Sequence, residues 1–302
     1  MEEALVALAT GEARPFPTLR EPVQGGMVGV RGATWPARGL LGVKVSGFFL
    51  ANRDQGLDSH QAVVVLQDPA SGRAHALVDG NHVTWLRTAL AGVAGTRALA
   101  RPDARRVLVV GNGLQAEAQL RSHAWGLAAR EPEFQVFAPR DDAAGAKGRA
   151  FAARLDERAI HVAPAPDLER GLAGADSVIT ATPSTDPLVP DAWVPPGTHI
   201  TAMGADAPGK RELADALVVR GRLVADDRGQ CVRFGEGQAL GEAAEGRLPT
   251  LGEILAGMVP GREDPGEVTV FDSTGLGLHD LVTANVAVDR AREHGVGGLI
   301  TL

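Results

Sequence analysis

The sequence holds a single cysteine, Cys231, among its 302 residues, so no intrachain disulfide can form. No Cys/His spacing matches a zinc site, so no metal is expected. Positive charge is not in excess: 30 Lys and Arg against 37 Asp and Glu leave a formal charge of −7 and a pI near 5.6. Nucleic acid and anionic membranes require a basic surface that neutralises phosphates, and partners of both kinds are therefore excluded. A local basic pocket for one small anion is not. No apolar run reaches the roughly 18 residues that span a bilayer. The acidic start, Met1-Glu2-Glu3-Ala4-Leu5, lacks the basic-then-apolar order of a secretory signal. The expected compartment is a reduced cytoplasm. Internal repeats and low-complexity tracts are also missing.

What is present is the composition of a globular protein, 44% hydrophobic and 22% charged, long enough for one large domain or two ordinary ones. From about residue 106 short apolar runs alternate with helical patterns. Val107–Val110, Phe134–Phe137, Ile160–Val162, Ser177–Thr180, Thr198–Ala202 and Arg222–Val224 read as strands, with helices such as Leu114 to about Arg130 between them. Parallel strands need crossover connections, so this grammar predicts a Rossmann-type, doubly wound parallel sheet in an α/β fold. Runs apolar on both faces fit a sheet covered on both sides. The first hundred residues read differently. Val43–Ser46 and Ala62–Leu66 suggest strands, and Asp68-Pro69-Ala70-Ser71-Gly72 a hairpin turn. Thr84 stands where an N-cap belongs, before a helical pattern from Trp85 to Ala100 that Pro102 stops. The expectation is an NAD(P)-binding domain over residues 106–274. A second, α+β domain is built from residues 1–105 and completed by 275–302, where His279 to His294 reads as a helix.

Gly111-x-Gly113-x-x-Ala116 follows a predicted strand and opens a predicted helix. Glycines there permit a tight turn and let a pyrophosphate reach the backbone N–H groups at the positive end of the helix. An acid ending the second strand would bind the ribose 2′-OH of NAD, but this chain has Phe137-Ala138-Pro139-Arg140. The guanidinium of Arg140 suits a 2′-phosphate, which favours NADP over NAD. Asp141 and Asp142 reopen NAD if the strand ends later.

Several charges stand in awkward places. Arg87 falls in the first turn of the helix after Thr84, facing the positive end of its dipole, so either an anionic ligand or an unseen partner accounts for it. Asp206-Ala207-Pro208-Gly209-Lys210-Arg211-Glu212 reads as a helix start with Pro near the first position. Asp206 is then a cap, or, lying just beyond the strand Thr198–Met203, a ligand-facing carboxylate. Lys44 sits inside an apolar strand pattern and either turns to solvent or lines a pocket.

Taken in order, these motifs resemble the ornithine cyclodeaminase/mu-crystallin family. The likeness rests on Gly42-Val43-Lys44, Asn52 and Gly56-Leu57, Asp79-Gly80, Thr84-x-x-Arg87-Thr88 and Gly111-Asn112-Gly113-x-Gln115. Thr180–Ser184, Gly204–Leu213 and Phe271-Asp272-Ser273-Thr274-Gly275 complete it. The resemblance implies that Lys44 and Arg20 hold a substrate carboxylate, with Thr274 also at the substrate, and that Asp206 is the acid/base. It implies that Ser59, Arg87, Leu114, Gln115, Thr182, Met203, Lys210 and Ser273 line the dinucleotide site beside Gly111, Gly113 and Arg140. A homodimer joined through the first domain is implied too. The activity implied is hydride transfer at the alpha carbon of a small amino or imino acid, as a ketimine reductase or amino-acid dehydrogenase. The alternatives are a cyclodeaminase releasing ammonia and a non-catalytic, crystallin-like NADP binder. Asp58 stands where the family usually has proline. The stretch from Pro22 to Val43 has no acid to meet the second amine of ornithine, which favours the reductase.

Overall fold

The computed structural model describes residues 1–139 and 145–300, and the chain divides into two compact units. One comprises Glu3–Arg87 with Leu276–Leu302, the other Thr88–Gly275.

The first unit is built on an antiparallel sheet. Its strands are β1 (Arg14–Pro15), β2 (Leu19–Val23), β3 (Gly26–Trp35), β4 (Leu40–Phe48), β5 (His60–Gln67) and β6 (Ala74–Asp79), ordered β1-β3-β4-β5-β6 with β2 also on β3. Side chains alternate across a strand, so register decides what each face carries. Arg31 pairs with Lys44, Lys44 with Val64, and Val64 with Val78. That face is covered by the helix Gly277–Glu293, whose Leu278, Leu281 and Ala284 join Ala33, Trp35, Val64 and Leu66 in one core. The other face carries Leu19, Val45, Val63 and Leu77, each 40% or more exposed.

The second unit holds seven parallel strands: β7 (Arg106–Val110), β8 (Glu133–Phe137), β9 (Val162–Pro164), β10 (Ser177–Thr180), β11 (His199–Ala202), β12 (Arg222–Ala225) and β13 (Thr269–Asp272). Their order is β12-β13-β11-β10-β7-β8-β9. Both faces are buried: Leu108 and Val110 enter one core with Val178 and Ile200, while Val107 and Val109 enter the other with Leu120, Phe151 and Ile179. The chain leaves β7 towards β8 on one side and returns to β10 on the other, so a switch point lies between β7 and β10. Ligands bind at the carboxyl ends of strands beside such a point. A buried polar chain braces the far side. Thr96 Oγ1 lies 3.0 Å from His123 Nε2 and 3.0 Å from Thr201 Oγ1, and His199 bridges Thr201 and Thr269 at 3.0 and 2.9 Å. Burial pushes His123 down to about 4, so it packs as a neutral ring.

Three local expectations are corrected. The helix near Thr84 begins earlier, spanning Gly80–Leu99, with the Asp79 carboxylate accepting from the Asn81 N–H at 2.9 Å. Thr84 is therefore no cap, and Arg87 lies beyond the first turn, where the dipole penalty has faded. Residues Ala207–Lys210 form a turn rather than a helix start. The Lys210 N–H donates to the Ala207 carbonyl (3.1 Å), with Pro208 and then Gly209 at φ +78° between them. Proline followed by a positive-φ glycine is the signature of a type II turn, and the next helix waits until Asp215–Arg220. The strand expected at Ile160–Val162 is Val162–Pro164, because the Ile160 N–H closes the preceding helix by donating to Leu155.

Candidate active site

Lys44 is 3% exposed, flanked in its strand by Val43 and Val45 and carrying the strand's single charge. Its Nζ donates to Asp280 Oδ1 at 2.8 Å and to Thr84 Oγ1 at 2.9 Å. Arg87 Nε donates to the same Asp280 oxygen at 3.0 Å. Asp280 comes from the first turns of the helix Gly277–Glu293 and is fully buried. Burial pushes the Lys44 amine down to about 7 against the opposing pull of Asp280, with Arg87 and Arg31 adding to the fall. Burial would raise the Asp280 carboxyl, but Lys44 and Arg87 outweigh it and hold it below the ordinary range. His60 is pushed down to about 4 by burial, then by Lys44 and Arg87. The register also puts Arg20, through Gly29 and Ser46, on the Lys44 face. Ser59, buried before β5, accepts from Arg53 Nε at 2.9 Å. Two buried cations thus share one oxygen of a buried carboxylate.

In the second unit the expected residues gather at the carboxyl edge of one sheet. β7 ends in Gly111-Asn112-Gly113, and the helix Leu114–Gly126 begins at once. Gly111 has φ +136°, and a Cβ there would lie 2.7 Å from the Ala181 carbonyl that follows β10. Its N–H donates to Phe137 at 2.8 Å, tying the turn to the end of β8. A Cβ on Gly113 would meet nothing within 4 Å, and Leu114 is exposed beside it. Gln115 Oε1 is buried without a hydrogen-bond partner among the described residues. A helix N-terminus with outward N–H groups and no side chain at its mouth fits a pyrophosphate. Arg140 lies outside the described residues.

Beyond β11 come buried Met203 and the Asp206 turn, where Lys210 Nζ donates to Asp206 Oδ1 at 2.7 Å. The Asp206 side chain is 44% exposed. Glu212 fixes these loops. Its Oε2 accepts from Thr180 Oγ1 (2.6 Å) and the Gly204 N–H (2.8 Å), and its Oε1 from the Thr182 N–H (2.7 Å). Beyond β13, Ser273 Oγ, Thr274 Oγ1 and the Gly275 N–H all donate to Asp226, at 3.0, 2.9 and 2.7 Å. Both hydroxyls are thus held by this chain's own carboxylate. Among the described residues no cluster of His, Cys, Asp and Glu could hold a metal ion. No helix among them is long and apolar enough to cross a membrane.

The sequence model of the ornithine cyclodeaminase/mu-crystallin family matches residues 1–295. The chain belongs to this family. Within it, the iminosuccinate reductase of Paracoccus denitrificans is 35% identical over 98% of this chain and 92% of its own length. The structure of that reductase in complex with NAD+ matches with a TM-score of 0.89 and 34% identity, covering 100% of this chain and 92% of the other. An archaeal alanine dehydrogenase dimer with bound NAD matches at 0.89 and 30% identity, over 100% and 92%. The Δ1-pyrroline-2-carboxylate reductase of Thermococcus litoralis, in complex with NADH and L-proline, matches at 0.89 and 29% identity, over 99% and 93%.

Asp280, Glu212 and Asp226 have no role among the sequence expectations. Asp280 lies close to Leu278, Leu281 and Val282, and Asp226 follows the apolar run of β12; an acid in such company is a signal of burial. Glu212 follows Lys210 and Arg211 and carries no such signal.

Proposed function

We propose that the chain is an NAD(P)-dependent oxidoreductase acting at the alpha carbon of a small imino or amino acid, most simply an imino-acid reductase. The observation that carries this reading is the Asp206 turn at the carboxyl end of β11, on the same sheet edge as the Gly111–Gly113 turn after β7. A half-exposed carboxylate there can carry a proton beside a dinucleotide cradle. When bound, the dinucleotide supplies or accepts the hydride. Asp206 hands a proton to the imine nitrogen in reduction, or takes one from the amine in oxidation. Lys44, with Arg20, holds the substrate carboxylate and so orients the alpha carbon. Arg87, which the resemblance places at the dinucleotide, shares Asp280 with Lys44 and is reassigned here to the same substrate carboxylate. Relatives named as iminosuccinate, pyrroline-2-carboxylate and ketimine reductases support this substrate class. A panel of imino and amino acids with NADH, NADPH and their oxidised forms, followed by cofactor absorbance, tests it. Substrate-dependent absorbance change is expected. Ammonia release without net cofactor turnover would indicate a cyclodeaminase instead, and cofactor binding with neither would indicate a binding protein.

The reading extends to a homodimer in the cytoplasm, where the free, buried Cys231 stays reduced. The exposed sheet face of Leu19, Val45, Val63 and Leu77 is the apolar surface that a second copy would cover, and an archaeal relative is a dimer.

A further inference from the structure

We infer that Asp280 is a positioning residue for the carboxylate-binding cations. The one oxygen it shares between Lys44 and Arg87 keeps Lys44 an ammonium where burial favours the amine, and so sets the upper pH at which the cluster still takes a carboxylate. The inference rests on the reading that Lys44 meets the substrate.

The geometry carries it. Nζ of Lys44 and Nε of Arg87 approach a single oxygen at 2.8 and 3.0 Å, and all three side chains are nearly or wholly buried. Each packed element contributes a polar or titratable group to the cluster. β3 brings Arg31, β5 His60, the helix Gly80–Leu99 brings Thr84 and Arg87, and the helix Gly277–Glu293 brings Asp280 and His279. The arginines disfavour a second cation. His60 and His279 are pushed down to about 4 and about 3, by burial first and then by neighbouring cations, so neither adds charge near neutrality. Thr84 offers only a neutral oxygen. Asp280 is the acidic member of the set, and the fall of the Lys44 amine to about 7 is what remains after its opposition to burial. Sharing has a second consequence: whatever loosens Arg87 from the common oxygen leaves more of that carboxylate to Lys44.

Two substitutions therefore act on Lys44 with opposite sign. Asp280→Asn removes the anion and should lower the Lys44 pKa by about 1–3 units, the usual effect of an opposite charge at this range. Arg87→Leu removes a competing cation and should raise it. The chain has only three lysines, Lys44, Lys147 and Lys210, so 13Cε-labelled lysine gives a resolvable NMR titration of the full-length protein, assigned with Lys44→Arg. KM for the imino acid should lose its alkaline limit at lower pH in Asp280→Asn, while kcat at saturation shifts less. An unchanged Lys44 pKa in Asp280→Asn, or shifts of the same sign in both variants, would overturn the inference. Should Asp280→Asn fail to fold, a fall in the Lys44 pKa of Arg87→Leu overturns it equally. A Lys44 pKa that moves as expected while the KM profile stays fixed would uphold the hold of Asp280 on Lys44. That result would instead overturn the assignment of Lys44 to the substrate carboxylate.

Discussion

Lys210 reaches back across the turn Ala207–Lys210 to place its Nζ 2.7 Å from Oδ1 of Asp206. The turn makes this possible, since Pro208 and Gly209 reverse the chain within four residues. No helix begins there, so Asp206 has no capping duty, and its place at the end of β11 needs another reason. Asp206→Asn keeps the shape and can still accept from Lys210, but it cannot move a proton. General acid–base groups contribute about 10²–10⁴-fold, and turnover on the true substrate should fall by that order while dinucleotide affinity and thermal stability stay near those of the parent. Near-parental turnover would refute the catalytic role.

Glu212 should matter to cofactor binding without touching the cofactor. Its two oxygens receive three donors, two of them the backbone N–H groups of Thr182 and Gly204. In Glu212→Gln one oxygen becomes an amide donor that must face a donor. Leaving a buried backbone group unsatisfied typically costs about 1–3 kcal/mol, and the denaturation midpoint should fall accordingly. Because the loops that Glu212 ties together carry Thr182 and Met203, dinucleotide Kd should rise as well. A stability loss with unchanged Kd would separate Glu212 from the site.

Much of this was legible in the sequence because it is local. The parallel strands show as short apolar runs, and the Gly111–Gly113 turn lies between such a run and a helix. Strand β3 carries no clear strand signal because Gly26, Gly29 and Gly32 interrupt the alternation, and β2 carries none because Arg20, Glu21 and Pro22 fill its middle. Thr84 has the chemistry of a cap, and local pattern cannot reveal that its hydroxyl serves Lys44 inside a helix already begun at Gly80. The sequence around Asp280 marks it as buried but cannot name its partner, because Lys44 is 236 positions away. Type II turn and helix start share the string Asp-Ala-Pro-Gly, and the turn is held by distant Gln238, which accepts from the Gly209 N–H (3.0 Å) and donates to the Lys210 carbonyl (3.2 Å).

Cofactor preference turns on the end of β8. The strand ends at Phe137 and is followed by buried Ala138, so among the described residues no carboxylate closes the strand, while Asp141 and Asp142 lie outside them. Arg140 is then the candidate for a 2′-phosphate. Arg140→Ala should weaken NADPH binding about tenfold or more, since a hydrogen bond to a charged group contributes about 1.5–3 kcal/mol, and should spare NADH. Titrating both cofactors against both proteins checks this, and equal losses would show that Arg140 does not distinguish them.

The buried acids behind β13 predict a stability that declines toward alkaline pH. Burial pushes Asp272 up to about 7 and Glu236 up to about 8, and Asp272 further raises Glu236. In the unfolded chain both titrate near pH 4, so each takes up a proton on folding. Their favourable contribution is complete below about pH 4 and is lost as pH rises through 7 to 8. Asp272 accepts from Cys231 Sγ (2.9 Å) and the Gly237 N–H (3.3 Å) through Oδ2 alone, while Oδ1 has no hydrogen-bond partner among the described residues. Asp272→Asn can therefore keep both bonds on its oxygen and place the amide on the other side. It removes one titrating charge and lowers the pKa of Glu236 as well. Urea midpoints measured between pH 5 and 8.5 should fall clearly for the parent chain and less for Asp272→Asn, with the two proteins closest in stability at the acidic end. Parallel pH profiles would mean that these carboxyls do not take up protons on folding.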